Sequence, residues 1–174
     1  LNIKLKGINF DKKFVFSEIG YNFEPSEIGA AFGLEQLKKL KKFQKQRNIN
    51  FKLHKKFFSK LTQYFIKPVL KKNVKTNFLA YPLILRDNNS FSKKDLQIYL
   101  EKNKIQTRPI FSGNILRHPA FNFLISKKNQ LNKFPNSDYI MKNGLLIGCH
   151  QGLKKKDIKY IHNQINNFLS LRKI

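Results

Sequence analysis

Gly20-Tyr-Asn-Phe-Glu-Pro-Ser-Glu-Ile-Gly-Ala-Ala-Phe-Gly-Leu-Glu-Gln-Leu37 joins a turn-rich segment to the opening of a helix. Pro25 and Ser26 are helix-start residues: proline's fixed φ suits a first turn, and a serine hydroxyl accepts from an amide that has no helical partner. The small residues Gly29, Ala30, Ala31 and Gly33 leave room for a backbone or ligand to approach closely, although a helix packed tightly on a neighbour needs the same residues. Beyond them Ile28, Ala31, Phe32, Leu37, Leu40, Phe51, Phe58 and Leu61 recur at intervals of three, four or their multiples, with Lys filling most positions between. No proline intervenes before Pro68. The spacing predicts one helix from Ser26 to near Lys60, about 50 Å long and suited to bridging two domains.

Upstream, Ile3-Lys-Leu-Lys-Gly-Ile-Asn-Phe10 and Phe14-Val-Phe16 read as short strands with no partner strands before them. With Leu1 in place of a methionine, they are expected to be the tail of a larger domain. Downstream, Phe78 to Leu85 reads as a strand whose Pro82 calls for an edge or a bulge. Ser92-Lys-Lys-Asp95 makes a capping-box start for a helix carrying Leu96, Tyr99 and Leu100 on one face. Ile105 to Phe111 is the next expected strand. Asn136 to Asn143 reads as a short helix ended by Gly144, and Leu145 to His150 as a short buried strand. A last helix turns Ile158, Ile161, Ile165 and Phe168 inward, with Asp157 in its first turn and Arg172 and Lys173 near its end. The sum is an α/β unit without repeats.

The formal charge is +25, from 35 Lys and Arg against 10 Asp and Glu. Such a balance suggests a polyanion, but the lysines are dispersed and accompanied by abundant Asn, Ile and Phe, which the same adenine- and thymine-rich codons specify. Dispersed charge is a weaker footprint than a clustered stripe, so neither nucleic acid nor a membrane is expected as partner. No stretch is apolar for long enough to cross a bilayer, and a cytoplasmic protein is expected. Cys149 is the only cysteine, which excludes an intrachain disulfide and a cysteine-built cluster within this chain. His54 and His162 fall within helices, where a surface place is expected, and the four histidines have no ligand spacing.

Two further segments are candidates for chemistry. Thr107-Arg-Pro-Ile-Phe-Ser-Gly-Asn-Ile-Leu-Arg-His-Pro119 holds two of the five arginines around a Gly-Asn turn, a set suited to an anionic, hydroxyl-rich ligand and equally to a loop with solvated guanidiniums. Ile147-Gly-Cys-His-Gln-Gly-Leu153 puts His150 between glycines at a strand end, where it faces a cleft or satisfies a backbone group.

The phrase GYNFEPSEIGAAFGLEQLKKL resembles the signature of the DegT/StrS family of sugar aminotransferases and related dehydratases: Gly20-Tyr21-Asn22, Ser26-Glu27-Ile28, Ala30-Ala31, Gly33 and Gln36-Leu37 match it. The segments TRPIFSGNILRHPAF and FPNSDYIMKNGLLIGCHQGL follow in the family's order, in wording closest to the branch containing the CDP-hexulose 3-dehydrase of lipopolysaccharide sugar synthesis. The resemblance implies the C-terminal part of the type I fold of pyridoxal-phosphate (PLP) aminotransferases, a long connecting helix plus a small α/β domain. It divides the chain into residues 1–24 as the tail of a large PLP-binding domain, 25–61 as the connecting helix and 62–174 as the small domain. It implies a homodimer with shared active sites, PLP or its amine form as cofactor, and a nucleotide-linked ketosugar as substrate. Asn22 matches the residue that reaches the cofactor phosphate of the neighbouring subunit. By the same analogy Arg108, Asn114, Arg117 and His150 line the sugar-nucleotide side of the cleft. The family's Schiff-base lysine, or the histidine replacing it, matches no residue here, so this chain alone is expected to be inactive. Tyr139 stands where the dehydrase subgroup carries arginine, Gly29 where glutamine is usual and Gln151 where proline is usual.

Overall fold

In the computed structural model, residues 2–5, 8–11, 21, 23, 25–87, 90–111, 113–119, 121 and 133–172 are described. They form two compact units, residues 1–38 and 39–174. In the first, β1 (Asn2–Leu5) and β2 (Ile8–Asp11) pair antiparallel, Asn2 opposite Asp11 and Leu5 opposite Ile8. The strands expected to be unpartnered therefore find each other, because two four-residue runs two residues apart satisfy one another's backbone groups as a hairpin. Phe14 to Phe16 lie outside the described residues.

Helix α1 runs from Glu27 to Phe58, within two residues of the expected ends. Its apolar spacing holds throughout, but burial does not. Phe51 and Phe58 are buried, whereas Ile28, Phe32 and Leu37 are each more than 60% exposed.

The second unit is built on a four-stranded antiparallel sheet in the order β3 (Phe65–Ile66), β4 (Ala80–Leu85), β6 (Gly144–Gly148), β5 (Thr107–Pro109). Buried side chains alternate along β4 at Tyr81, Leu83 and Leu85 and along β6 at Leu145, Ile147 and the adjoining Cys149. This face packs on Phe51 and Phe58 of α1, on Leu96 and Leu100 of α2 (Lys93–Lys102), and on Ile158, Ile161, Ile165 and Phe168 of α4 (Lys155–Ser170). The apolar residues of α4 thus sit where their 3-4-3 spacing places them, each contributing about 1.5–3 kcal/mol of burial.

Local chemistry sets the boundaries. Ser92 caps α2 reciprocally with Asp95: the Asp95 amide donates to Ser92 Oγ (3.2 Å) and the Ser92 amide to Asp95 Oδ2 (2.9 Å). At the other end Lys104 takes a left-handed φ of 60°, the Lys104 amide donates to the Glu101 carbonyl, and the Ile105 amide to that of Leu100. This is the two-bond Schellman closure, with lysine where glycine is usual. It shortens the strand expected from Ile105 to Phe111 at its start, and Pro109, which has no amide to donate, ends it. Pro82 meets its expectation without a bulge. The Arg86 amide donates toward β3, to Tyr64, so by alternation the Pro82 nitrogen faces that same side, where β3 has already ended at the Ile66–Ile84 pair. Helix α3 (Pro135–Asn143) ends at Gly144 as expected, yet Gly144 has φ −95° and not a left-handed conformation. Among the described residues no helix is long and apolar enough to cross a membrane.

Candidate functional site

Three polar residues of α1 lie four apart, at Gln46, Asn50 and His54, and so form one stripe on the face that Phe51 and Phe58 turn inward. His54 is fully buried, which corrects the expectation of a surface histidine. It sits three residues after Phe51 and four before Phe58, so the helical period that buries those rings buries it as well. Its Nε2 lies 3.0 Å from the Gly148 carbonyl and its Nδ1 3.0 Å from Nε2 of His162. The half-buried His162 ring stacks on Phe57 at 3.9 Å. Burial pushes His54 down to about 4, against the pull of the Gly148 carbonyl. Burial also pushes His162 down, to about 3, with His54 adding to the effect. Both are therefore neutral at pH 7, with His54 Nε2–H donating to Gly148 and His162 Nε2–H donating to His54 Nδ1. The pair is structural.

Past β6 the chain turns through His150 into α4. A cavity of about 580 Å³ opens here, bounded by Ala80 of β4, Leu146 and Gly148 of β6, Ile105 and Arg108 at β5, and Leu153, Asp157 and Tyr160 at the start of α4. Its floor is mainly aliphatic, while Lys104 and Arg108 bring positive charge. The structure brings Arg108 and His150 together in this cavity although they are far apart in sequence, because β5 pairs with β6 in the register Arg108 opposite Leu146. Both side chains are exposed. His150 Nδ1 accepts from the Gly152 amide at 3.2 Å.

Asn114 and Arg117 are not among the residues bounding this cavity; they converge on Asp138 of α3, a residue to which sequence reasoning gave no role. The Arg117 guanidinium grips both carboxylate oxygens, with Nη2 2.6 Å from Oδ2 and Nε on Oδ1. The Asn114 amide donates to Oδ1 at 2.9 Å, and its own oxygen accepts from the Leu116 amide, capping the short 3₁₀ turn Ile115–Arg117. The guanidinium and then the Asn114 amide hold the Asp138 carboxyl down at about 2. Gly113 just before has φ 71°, and a Cβ there would meet Met141 at 2.6 Å, so the Gly-Asn turn requires its glycine. An Asp138→Asn variant removes the ionic anchor but leaves the turn's own bonds. Faster amide exchange at residues 115–118 with a melting temperature within about 2 °C of wild type is expected, since exposed ion pairs contribute little to global stability. Unchanged exchange would show that the turn holds itself.

Asn22 lies outside the described residues. Burial pushes the Cys149 thiol up to about 12, which leaves it unreactive. Lys93, lowered by partial burial, donates to the Met141 carbonyl at 2.6 Å. Among the described residues no group of three or more His, Cys, Asp or Glu is arranged to hold a metal.

The model of the DegT/DnrJ/EryC1/StrS aminotransferase family matches residues 2–166. The lipopolysaccharide biosynthesis protein RfbH of Salmonella typhimurium is 28% identical over 93% of this chain and 37% of its own length. The GDP-4-keto-6-deoxy-D-mannose 3-dehydratase of Yersinia pseudotuberculosis is 30% identical over 88% of this chain and 38% of its own length. The chain thus spans less than two fifths of the length of these curated relatives. Among solved structures, the E. coli GDP-4-keto-6-deoxy-D-mannose-3-dehydratase with bound hydrated PLP superposes with a TM-score of 0.68 at 28% identity, covering 88% of this chain and 39% of that one. The fold expected from the resemblance, a long helix plus a small α/β domain of the type I aminotransferase architecture, is the fold found.

Proposed function

The chain belongs to the DegT/DnrJ/EryC1/StrS aminotransferase family, and from that premise we propose that it is the C-terminal portion of a PLP-dependent enzyme that transaminates or dehydrates a nucleotide-linked ketosugar in lipopolysaccharide or related sugar synthesis. The observation that carries this reading is the family match over residues 2–166 together with a cavity that joins Arg108 to His150. In this reading residues 1–24 complete the large domain, 25–61 connect, 62–174 form the small domain, and two subunits share their active sites. Within the family, the GN-I-L-R-x-P and IG-x-H-x-GL wording favours the 3-dehydrase branch.

When bound, PLP supplies the electron sink for the ketosugar. Asn22 would donate its amide to the phosphate of the cofactor in the neighbouring subunit. Arg108 fixes the anionic nucleotide with its planar fork, and the aliphatic floor takes the less polar part of the substrate. His150 donates from Nε2 to a sugar hydroxyl. Asn114 and Arg117, which do not bound the cavity, are assigned to the sugar side only through the loop that Asp138 braces.

Arg108→Ala in the full-length protein tests this. Loss of a charge-assisted contact is expected to weaken binding of the nucleotide sugar by about 10- to 100-fold while the cofactor's absorbance spectrum stays unchanged. Wild-type affinity in that variant would remove Arg108 and the cavity from the substrate site.

A further inference from the structure

The polar stripe of α1 converges on one short turn. Asn50, fully buried, donates through Nδ2 to the carbonyls of both His150 (2.9 Å) and Leu153 (3.1 Å). One helical turn earlier, Gln46 Nε2 donates to Asn50 Oδ1 at 2.9 Å and reaches the Leu153 carbonyl at 3.4 Å. One turn later, His54 Nε2 bonds the Gly148 carbonyl. The helix therefore grips both ends of Gly148–Leu153. Only an amide meets the demand at position 50: the carbonyls need donors and Gln46 needs an acceptor, so neither a carboxylate nor an ammonium serves.

That turn carries His150. Its Nδ1 accepts from the Gly152 amide, so the neutral ring holds its proton on Nε2. Nε2 lies beside Gly148, another cavity residue, where a Cβ would come within 3.9 Å of it. The Gly152-to-ring bond depends on the backbone between residues 150 and 152, and the His150 carbonyl is held by the Leu153 amide within the turn (3.2 Å) and by the Asn50 side chain from outside it.

We propose that Asn50 is the positioning residue for His150: by holding the 150–153 turn it makes the imidazole present one tautomer, Nε2–H, to the cavity shared with Arg108. The consequence for substrate rests on the function proposed above; the consequence for the ring does not.

The experiment uses the full-length protein with ¹⁵N-labelled histidine, and reads the two ring-nitrogen shifts of the neutral His150 ring. Wild type gives well-separated shifts of an Nε2–H tautomer. Asn50→Ala brings them toward each other as the second tautomer becomes populated, and the Gly152 amide exchanges faster. Shifts and exchange at wild-type values in Asn50→Ala would overturn the proposal. If Asn50→Ala does not fold, Gln46→Ala moves the same shifts in the same direction with smaller amplitude, and no movement there overturns it. Binding of sugar nucleotides built on GDP, UDP and dTDP, the nucleotides in the names of relatives, gives the second arm. Asn50→Ala and His150→Ala each weaken the sugar nucleotide that binds by about tenfold, and the double variant is no weaker than His150→Ala. Losses that multiply would show that Asn50 does not act through His150. If His150→Ala binds as wild type, the cavity's role in substrate binding falls, while the ring-nitrogen shifts still decide the role of Asn50.

Discussion

Taking the chain from pH 7 to pH 4 is expected to remove about 3 kcal/mol of folding stability through His54 alone. The sign follows from the direction of the shift. His54 sits at about 4 in the folded chain, against 6.5 for a free histidine, so the unfolded state takes up the proton first. Its contribution is fully present above pH 6.5 and is lost progressively as the pH falls to about 4. At about 1.4 kcal/mol per pK unit the full depression is worth about 3.5 kcal/mol, of which about 3 is lost by pH 4, where the folded-state ring is half protonated. His162, pushed down to about 3 by burial and by its neighbour, acts in the same direction and extends the window downward. The groups against the pair are the rings of Phe57, Phe58 and Tyr81, none of which offers a countercharge. The carboxylates whose pKa is lowered, Asp87, Asp95, Glu101 and Asp138, start from 3.8 to 4.5 and lose their contributions below about pH 4.5, in the lower part of the histidine window. Urea unfolding at half-unit pH steps isolates the effect: between pH 6.5 and 4.5 the slope belongs to the histidines. His54→Gln, which cannot titrate, is expected to flatten it, and a slope unchanged by that substitution would assign the acid sensitivity elsewhere.

The same pair marks the limit of sequence reading. Helices α2, α3 and α4 were legible because their caps and periods are local, and each residue that defines them lies within four positions of the next. His54 was legible in principle: counting from Phe51 and Phe58 places it inward, but a histidine among lysines in a helix reads as surface. The first half of α1 shows the converse. Ile28, Phe32 and Leu37 keep the period and are exposed, because periodicity gives the direction of a face and not what lies against it. The cavity was legible only through the family resemblance, which put Arg108 and His150 on one cleft, and not from the residues themselves. Arg108 and His150 meet through the register of β5 on β6, and pairing register is a property of two strands that neither strand encodes alone. Asp138 escaped notice for a related reason, since a carboxylate 21 residues from Arg117 becomes its partner only after α3 has docked on the sheet.

Register is also what the second large effect tests. Gly144→Ala is expected to destabilise the chain by about 2–3 kcal/mol, although φ −95° and ψ 136° suit alanine as well as glycine. The reason is contact. A Cβ at this position would lie 2.6 Å from the Ile140 carbonyl oxygen and 2.8 Å from Ile110 Cδ1. The isoleucine can rotate away, but the carbonyl cannot: it is backbone, and it accepts the Gly144 amide that closes α3. Relief must then come from moving the start of β6, where Gly144 pairs with Ile84 and Leu145 with both Leu83 and Pro109. That displacement passes along the β5–β6 pairing to Arg108, so on the function proposed above the loss of stability should be accompanied by weaker nucleotide binding. For a chain of this size, about 2–4 °C per kcal/mol implies a melting temperature lower by roughly 4–12 °C. A variant melting within about 1 °C of wild type would mean that the α3–β6 junction yields without cost, and that the glycine is not what holds this end of the sheet in register.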